Sequence, residues 1–420
     1  MKQLQYSLYY LTFIFGIALP FSTKISNAAL ILIYLVVAVL YFINKTGRQK
    51  ENVKWVKYSL FVLFTFCIIS FFVSEDIAAT WKMTGRRISF LLTPLIFLFL
   101  SKEDINGIKN YALKGLLTSS LLVSLVLLIN NFVFYYATRP LFSIDNELLN
   151  FYHTGFHYTE IVDIHPSYLG MYYLLALSYL IFASPVKNKI LNSLSFIIIA
   201  VSILFLASRI VIFLFCLLTL ISLWKYLFSR FKSTFQSAFA FGICILLLVF
   251  GAITLFGKTY LFESITKEAV WELSYNAEET YNSKTLGDSR VARWDAALEL
   301  IYEKPLLGYG VGTEKKILVE KYKEKGLFIA ASNRYDAHNQ FISYTIESGI
   351  LGLFIFIFYI GSNLIFSFKS KDLIASFFFI SLIFISLVEN FFNNNAGITF
   401  IAFFGTVFLF SSQLFTNQKE

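Results

Sequence analysis

The sequence predicts an all-α polytopic membrane protein, with about twelve transmembrane helices and one long hydrophilic loop that contains short amphipathic helices. Three observations carry this. At 420 residues, 57% hydrophobic and only 15% charged, the chain is too apolar for an ordinary soluble domain. Apolar runs approaching bilayer length recur along it. Lysines and arginines gather in every second loop, as in a chain that threads back and forth across a bilayer.

The runs lie near 6–21, 26–43, 56–73, 86–100, 113–137, 166–183, 190–207, 210–228, 236–256, 341–366, 373–389 and 397–415. The first, after Lys2, has the look of a signal peptide, but Ser-Asn-Ala-Ala around Asn27 leads straight into another apolar run and reads as a tight hairpin. Pro94 interrupts the fourth run. Little more than Ser208 and Arg209 separates the seventh from the eighth, which implies a very tight turn or a broken helix.

Placing the N-terminus in the cytoplasm puts Lys45, Arg48, Lys50, Lys54 and Lys57 inside, followed by Lys102 and Lys109, Lys187 and Lys189, Lys225, Arg230 and Lys232, and Lys369 and Lys371. Both termini are then cytoplasmic. The stretches from Ser74 to Arg87, Thr138 to Pro166, Phe256 to Gln340 and Glu389 to Gly397, with the Ser208/Arg209 apex, face outward. The chain divides into an N-terminal membrane bundle (1–256), an extracytoplasmic loop (257–340) and a three-span segment (341–420). His165, Arg209, Arg290, Arg293 and His338 all fall on the outer side, with Arg86 and Arg87 near it. Asn393 to Asn395 reads as a polar hairpin tip.

The formal charge of +9 sits mostly in short loops, where topology explains it, so nucleic acid is not an expected partner. Cys67, Cys216 and Cys244 lie inside apolar runs and read as small hydrophobes. No HExxH motif and no Cys/His cluster occurs, and no metal is invoked.

In the long loop, Ser289 is a natural N-cap, and Val291, Trp294, Leu298 and Ile301 follow at helical spacing as far as Pro305. Arg290 and Arg293 then share the first turn, where backbone N–H groups and two guanidinium groups would seat a phosphate. The plainer alternative leaves them solvated, or paired with Asp288, Asp295 or Glu299. Arg209, between two apolar runs, must reach the outer surface or serve a buried anion. Gly308, Gly310 and Gly312 follow no strand and match neither GxGxxG nor GxxxxGKS/T, so they read as a turn closing the helix against the membrane. Glu314 to Lys325 reads as a solvated or headgroup-facing helix.

His338 and Asn339 stand immediately before the tenth run. An imidazole can take a proton from a sugar hydroxyl, and the adjacent amide can hold ring or substrate in register; a structural histidine is the alternative. His165, heading the sequence His-Pro-Ser-Tyr, has the same two readings, site residue or helix entry.

Ser208-Arg209, Arg290 four residues before Trp294, EKPLLGYGVG at 303–312, AHNQF at 337–341 and ESGILG at 347–352 occur in this order. The pattern resembles the O-antigen ligase family, which includes lipopolysaccharide O-antigen ligases, some O-antigen and capsule polymerases, and protein O-oligosaccharyltransferases. The motifs cover about 205–355, and the span count and outer loop agree over nearly the whole chain. The resemblance implies a GT-C-like, inverting glycosyltransferase of the bacterial inner membrane. Such an enzyme moves a glycan from undecaprenyl diphosphate to a hydroxyl acceptor on the periplasmic face, lipid A-core being the default, without nucleotide sugar, cofactor or metal. Carried over by motif, Arg209 and Arg290 would bind the diphosphate and His338 would be catalytic, while Arg293, Asn339 and His165 match less closely. A polymerase using the same donor and a protein O-oligosaccharyltransferase are alternatives within the resemblance. A glycolipid transporter is the alternative outside it, and would need ionisable residues deep in its spans.

Overall fold

The computed structural model describes residues 2–43, 55–231, 233–280 and 286–412. Lys45, Arg48, Lys50, Lys54 and Lys232 of the expected basic loops lie outside the described residues. In chain order the helices are α1 (Lys2–Ala18), α2 (Thr23–Ile43), α3 (Ser59–Ile69), α4 (Ile77–Phe97), α5 (Lys102–Tyr136), α6 (Gly155–Thr159), α7 (Pro166–Ala183), α8 (Lys189–Leu206), α9 (Arg209–Arg230) and α10 (Thr234–Phe256). They continue with α11 (Tyr260–Glu263), α12 (Ala269–Glu272), α13 (Arg290–Glu303), α14 (Glu314–Glu324), α15 (Phe328–Ser332), α16 (Gln340–Lys369), α17 (Leu373–Ser386), α18 (Asn395–Phe400) and α19 (Thr406–Ser411). A π turn, Ile401–Gly405, joins the last two. Among the described residues the strands are one antiparallel pair, Glu279–Thr280 with Leu286–Gly287.

A helix coincides with every apolar run read from the sequence. Six of them, α2, α5, α7, α8, α9 and α16, are long and apolar enough to cross a membrane, and shorter apolar helices cover 56–72, 234–247, 373–386 and 395–411. The protein is a multi-pass, all-α membrane protein.

The fourth run differs from its expected form. Asp76 caps the helix by accepting from Ala79 N at 3.0 Å, so α4 starts at Ile77 and continues through Pro94 to Phe97. Arg87 is therefore not at the end of a loop; it lies midway along α4, 2% exposed. The charges of Arg86 and Arg87 suggested a helix boundary, but the charge of Arg87 is met by a residue far along the chain.

The chain forms two compact units, Met1–Ser119 with Trp271–Glu420, and Ser120–Val270. In the first, Gly16 and Gly115 let α1 and α5 touch backbone to backbone. A Cβ on Gly16 would stand 2.3 Å from Ala112 O, and one on Gly115 would stand 2.2 Å from Phe13 O. The loop between α10 and α16 has its own small core, where Ala292, Ala296, Ala297 and Leu300 of α13 meet Leu318 and Tyr322 of α14. This corrects the expected apolar stripe. Leu298 is 45% exposed, and the buried face of α13 is made of alanines and Arg293, whose small neighbours admit the bulk of α14.

The two glycine-bearing motifs form one structure. Gly308, Gly310 and Gly312 all have positive φ, and the turn they make is hydrogen-bonded to α16: Tyr309 N donates to Ile346 O and Gly310 N to Glu347 O, both at 2.9 Å. Opposite them α16 kinks at Gly349, with φ 64° and ψ −168°, and Ile350 N donates to Pro305 O at 2.8 Å. PLLGYGVG and ESGILG thus supply each other's backbone partners.

In the second unit, α7 is buried from Pro166 to Leu180 and packs on α8 and α9. Gly170 sits against Val211, which a Cβ would approach to 2.4 Å. Between α8 and α9, Ala207 adopts a left-handed conformation and Ser208 is extended, so the expected tight break is present and Arg209 is the first residue of α9.

Candidate functional site

In the first unit, four segments bring the candidate residues of the loop together. They are the start of α13, the turn Tyr335–Asn339, Glu272 at the end of α12, and Val388–Asn390 after α17. Ser289 caps α13 as expected, its hydroxyl accepting from Ala292 N at 3.3 Å. This fixes Arg290 and Arg293 on the first turn. Trp294 Nε1 donates to Ala337 O at 2.8 Å and fastens the histidine turn to the helix.

Neither arginine takes the partners proposed for an ordinary surface charge. Asp295 and Glu299 both pair with Lys325, and Asp288 accepts from Glu278 N and Ala330 N, each at 2.8 Å. The carboxylate at the helix start is Glu272. Its Oε2 accepts from Arg290 N at 2.8 Å and lies 3.7 Å from Arg293 Nη2 and 4.0 Å from Arg290 Nε. Arg290 Nη1 also donates to Val388 O at 3.1 Å. The Arg293 guanidinium lies over the Tyr335 ring, 5.1 Å from its centre, and is 5% exposed.

His338 is left-handed, φ 45°, and its backbone N donates to Asp336 Oδ1 at 3.1 Å. Its ring lies between two carboxylates: Nδ1 is 3.5 Å from Glu389 Oε2, and Nε2 is 3.7 Å from Asp336 Oδ1. Glu389 follows Val388, the residue bonded to Arg290, and Tyr335 lies near both Arg293 and His338. Asn339 caps α16, its Oδ1 accepting from Phe341 N at 3.0 Å and Ile342 N at 3.3 Å. Its oxygen therefore holds the helix that positions His338.

Beneath this layer is a buried polar network with no local sequence signal. Arg87 Nη2 lies 2.8 Å from Glu347 Oε2, and Glu347 Oε1 accepts from Gly312 N at 2.8 Å, which links the glycine turn to α4. Glu314, at the start of α14, is 3% exposed and accepts from Ala337 N, Ser343 Oγ, Asn390 Nδ2 and Asn393 Nδ2. Burial pushes its carboxyl up, with Asp336 and Glu347 acting in the same direction, against hydrogen bonds from Ser343 and Ala337. One expectation is corrected: the lysine-rich helix is solvated on one side only, its Glu314, Leu318 and Tyr322 being buried. The Asn393–Asn395 turn is polar as expected, and Asn393 turns into this network.

In the second unit, His165 takes the helix-entry role. Its Nδ1 accepts from Ser167 N at 3.2 Å before Pro166, and its ring packs edge-on against Phe156 and Tyr168. Ser167 Oγ lies 3.0 Å from Ser208 Oγ, tying the start of α7 to the start of α9. Arg209 Nη2 lies 3.3 Å from Glu268 Oε2, so Arg209 has a buried anionic partner, one of the two outcomes expected for it. His153 and His157 are spaced as two ligands on one helix face would be. The chain breaks between them at Gly155, φ 62°, and His153 Nδ1 faces Asn131 Oδ1 at 3.0 Å. Among the described residues no group of histidine, cysteine and acidic side chains is arranged to hold a metal ion.

Residues 194–357 match the family model described as O-antigen ligase. The match contains all five motifs on which the resemblance was drawn. No curated protein matches the chain.

Proposed function

We propose that the protein transfers a glycan from a polyprenyl diphosphate, undecaprenyl diphosphate in a bacterial inner membrane, to a hydroxyl acceptor at the periplasmic face, with lipid A-core as the acceptor. The observation that carries this reading is the junction of Val388 and Glu389. One residue bonds Arg290 and the next faces His338, so a cation pair suited to phosphate and an imidazole suited to a hydroxyl stand side by side. On the same reading, about twelve helices span the membrane in a GT-C-like arrangement. Residues 1–256 form the first bundle, 257–340 the periplasmic loop and 341–420 the closing segment, with both termini in the cytoplasm.

The residues divide the chemistry between them. The acceptor oxygen attacks the anomeric carbon from the face opposite the departing diphosphate, inverting the linkage. His338 takes the acceptor proton as the new C–O bond forms, and Asp336 and Glu389 stabilise the imidazolium that results. Breaking the glycosyl–phosphate bond leaves negative charge on the diphosphate, which fixed guanidinium groups in a partly dry site stabilise without the reorganisation water would need. That task falls to Arg290, with Arg293 beside it. Arg209 is assigned to the diphosphate from its motif. Asn339 positions His338, and His165 is left with helix entry.

A deletion strain tests the reading. Polymer missing from the lipid core while lipid-linked polymer accumulates supports ligation. Core carrying only single repeat units would replace ligase with polymerase, and wild-type lipopolysaccharide banding would reject both. Glycan missing from a protein instead would identify a protein O-oligosaccharyltransferase.

A further inference from the structure

We infer that Glu272 is an internal substitute for a donor phosphate: it occupies the anion seat at the start of α13 when no donor is bound and yields that seat to the diphosphate. The inference rests on the reading that Arg290 and Arg293 bind diphosphate. The start of a fourteen-residue helix presents backbone N–H groups and a partial positive charge, and here Glu272 Oε2 accepts from the first of those groups, Arg290 N, at 2.8 Å. The same oxygen is the one facing Arg293 Nη2 and Arg290 Nε. The other acid at this turn, Asp288, is committed to Glu278 N and Ala330 N. A single carboxylate oxygen therefore stands where the fold directs three sets of donors.

That oxygen does not use all the hydrogen-bonding capacity of the seat. Arg293 is 5% exposed, yet its Nε and Nη1 have no hydrogen-bond partner. A buried guanidinium N–H without an acceptor is unfavourable, and a phosphate brings more acceptor oxygens and more charge than a carboxylate. Two guanidinium groups and a helix end of about +0.5 also exceed the charge of one glutamate. Glu272 ends a four-residue helix, and its side chain is 15% exposed, so it has a route to solvent when displaced.

Glu272 would thus hold the two arginines in place between turnovers, weaken the grip on donor, and speed loss of the polyprenyl diphosphate product by returning to the seat. Charge removal is the direct test. Purified full-length protein in detergent is titrated with farnesyl diphosphate, with inorganic pyrophosphate, and with farnesol as the probe lacking phosphate. Glu272→Gln is expected to bind both diphosphates about tenfold tighter than wild type and farnesol equally, with Glu272→Asp in between. In turnover it should lower the donor KM and increase inhibition by farnesyl diphosphate. Glu320→Gln, an exposed charge on α14, should change none of these. Equal or weaker diphosphate binding by Glu272→Gln, with wild type still binding, overturns the inference and makes Glu272 a fixed support. If neither protein binds either diphosphate, the diphosphate reading itself fails, and the inference with it. Should Glu272→Gln fail to fold, Glu272→Asp decides alone, since its shorter carboxylate still predicts tighter diphosphate binding.

Discussion

His338 Nδ1 lies 3.5 Å from Glu389 Oε2, an imidazole and a carboxylate brought together from the two ends of the α16–α17 hairpin. The carboxylate can hold the ring in one orientation and stabilise it when it takes up a proton. His338→Ala is expected to lower transfer by about 10²–10⁴-fold, with the protein still folded and inserted. Glu389→Gln should lower kcat by a smaller factor and leave donor KM nearly unchanged, because it acts through His338. A change in KM alone would place Glu389 in donor binding instead.

Arg290 sets a different measurement. Its guanidinium reaches both Glu272 and Val388 O, a spread that lysine's single ammonium does not reproduce. Arg290→Lys should raise the donor KM about tenfold or more while thermal stability changes little. Full activity in Arg290→Lys would remove two-pronged recognition of the diphosphate.

The glycine turn predicts a structural loss far from chemistry. A Cβ on Gly349 would stand 2.1 Å from Leu306 O, at a φ that side chains rarely adopt. Strain and overlap together should destabilise Gly349→Ala by about 2–4 kcal/mol. Denaturation of the purified protein measures this. A near-neutral Gly349→Ala would show that the PLLGYGVG turn and the kink of α16 are not interlocked.

Arg87 and Glu347 are 2% and 1% exposed, so each needs the other. Removing one partner leaves an uncompensated buried charge, and Glu347→Ala or Arg87→Ala should each cost about 3–5 kcal/mol. Arg87→Met combined with Glu347→Leu should recover part of that loss, and the difference between single and double variants is the diagnostic quantity.

The legible part of this structure is the part written locally. Helices fall where apolar runs fall because hydropathy and length report burial directly. Ser289 and the break at Ser208/Arg209 were readable because a cap or turn needs only neighbouring residues. The unread part depends on partners distant in sequence. Arg87 was placed in a loop because the glutamate that allows it to be buried lies 260 positions away. The stripe on α13 had the right period but the wrong face, since its alanines are chosen by the bulk of Leu318 and Tyr322. Glu272, Asp336 and Glu389 belong to no motif, and only the fold reveals what they face.

Glu314 gives the protein a pH dependence with a definite sign. Desolvation pushes its carboxyl up to about 8, so the folded protein holds this proton over a range where the unfolded chain has released it. Its contribution to stability is fully present below the ordinary glutamate range and is lost as pH rises toward about 8. Thermal midpoints of the detergent-solubilised protein should therefore fall between about pH 5 and pH 8, and Glu314→Gln should flatten that fall. The substitution keeps the shape of the side chain in a pocket shared with Ser343, Asn390 and Asn393, so packing changes little. An unchanged slope in Glu314→Gln would assign the pH dependence to other groups and leave Glu314 ionised among its four donors.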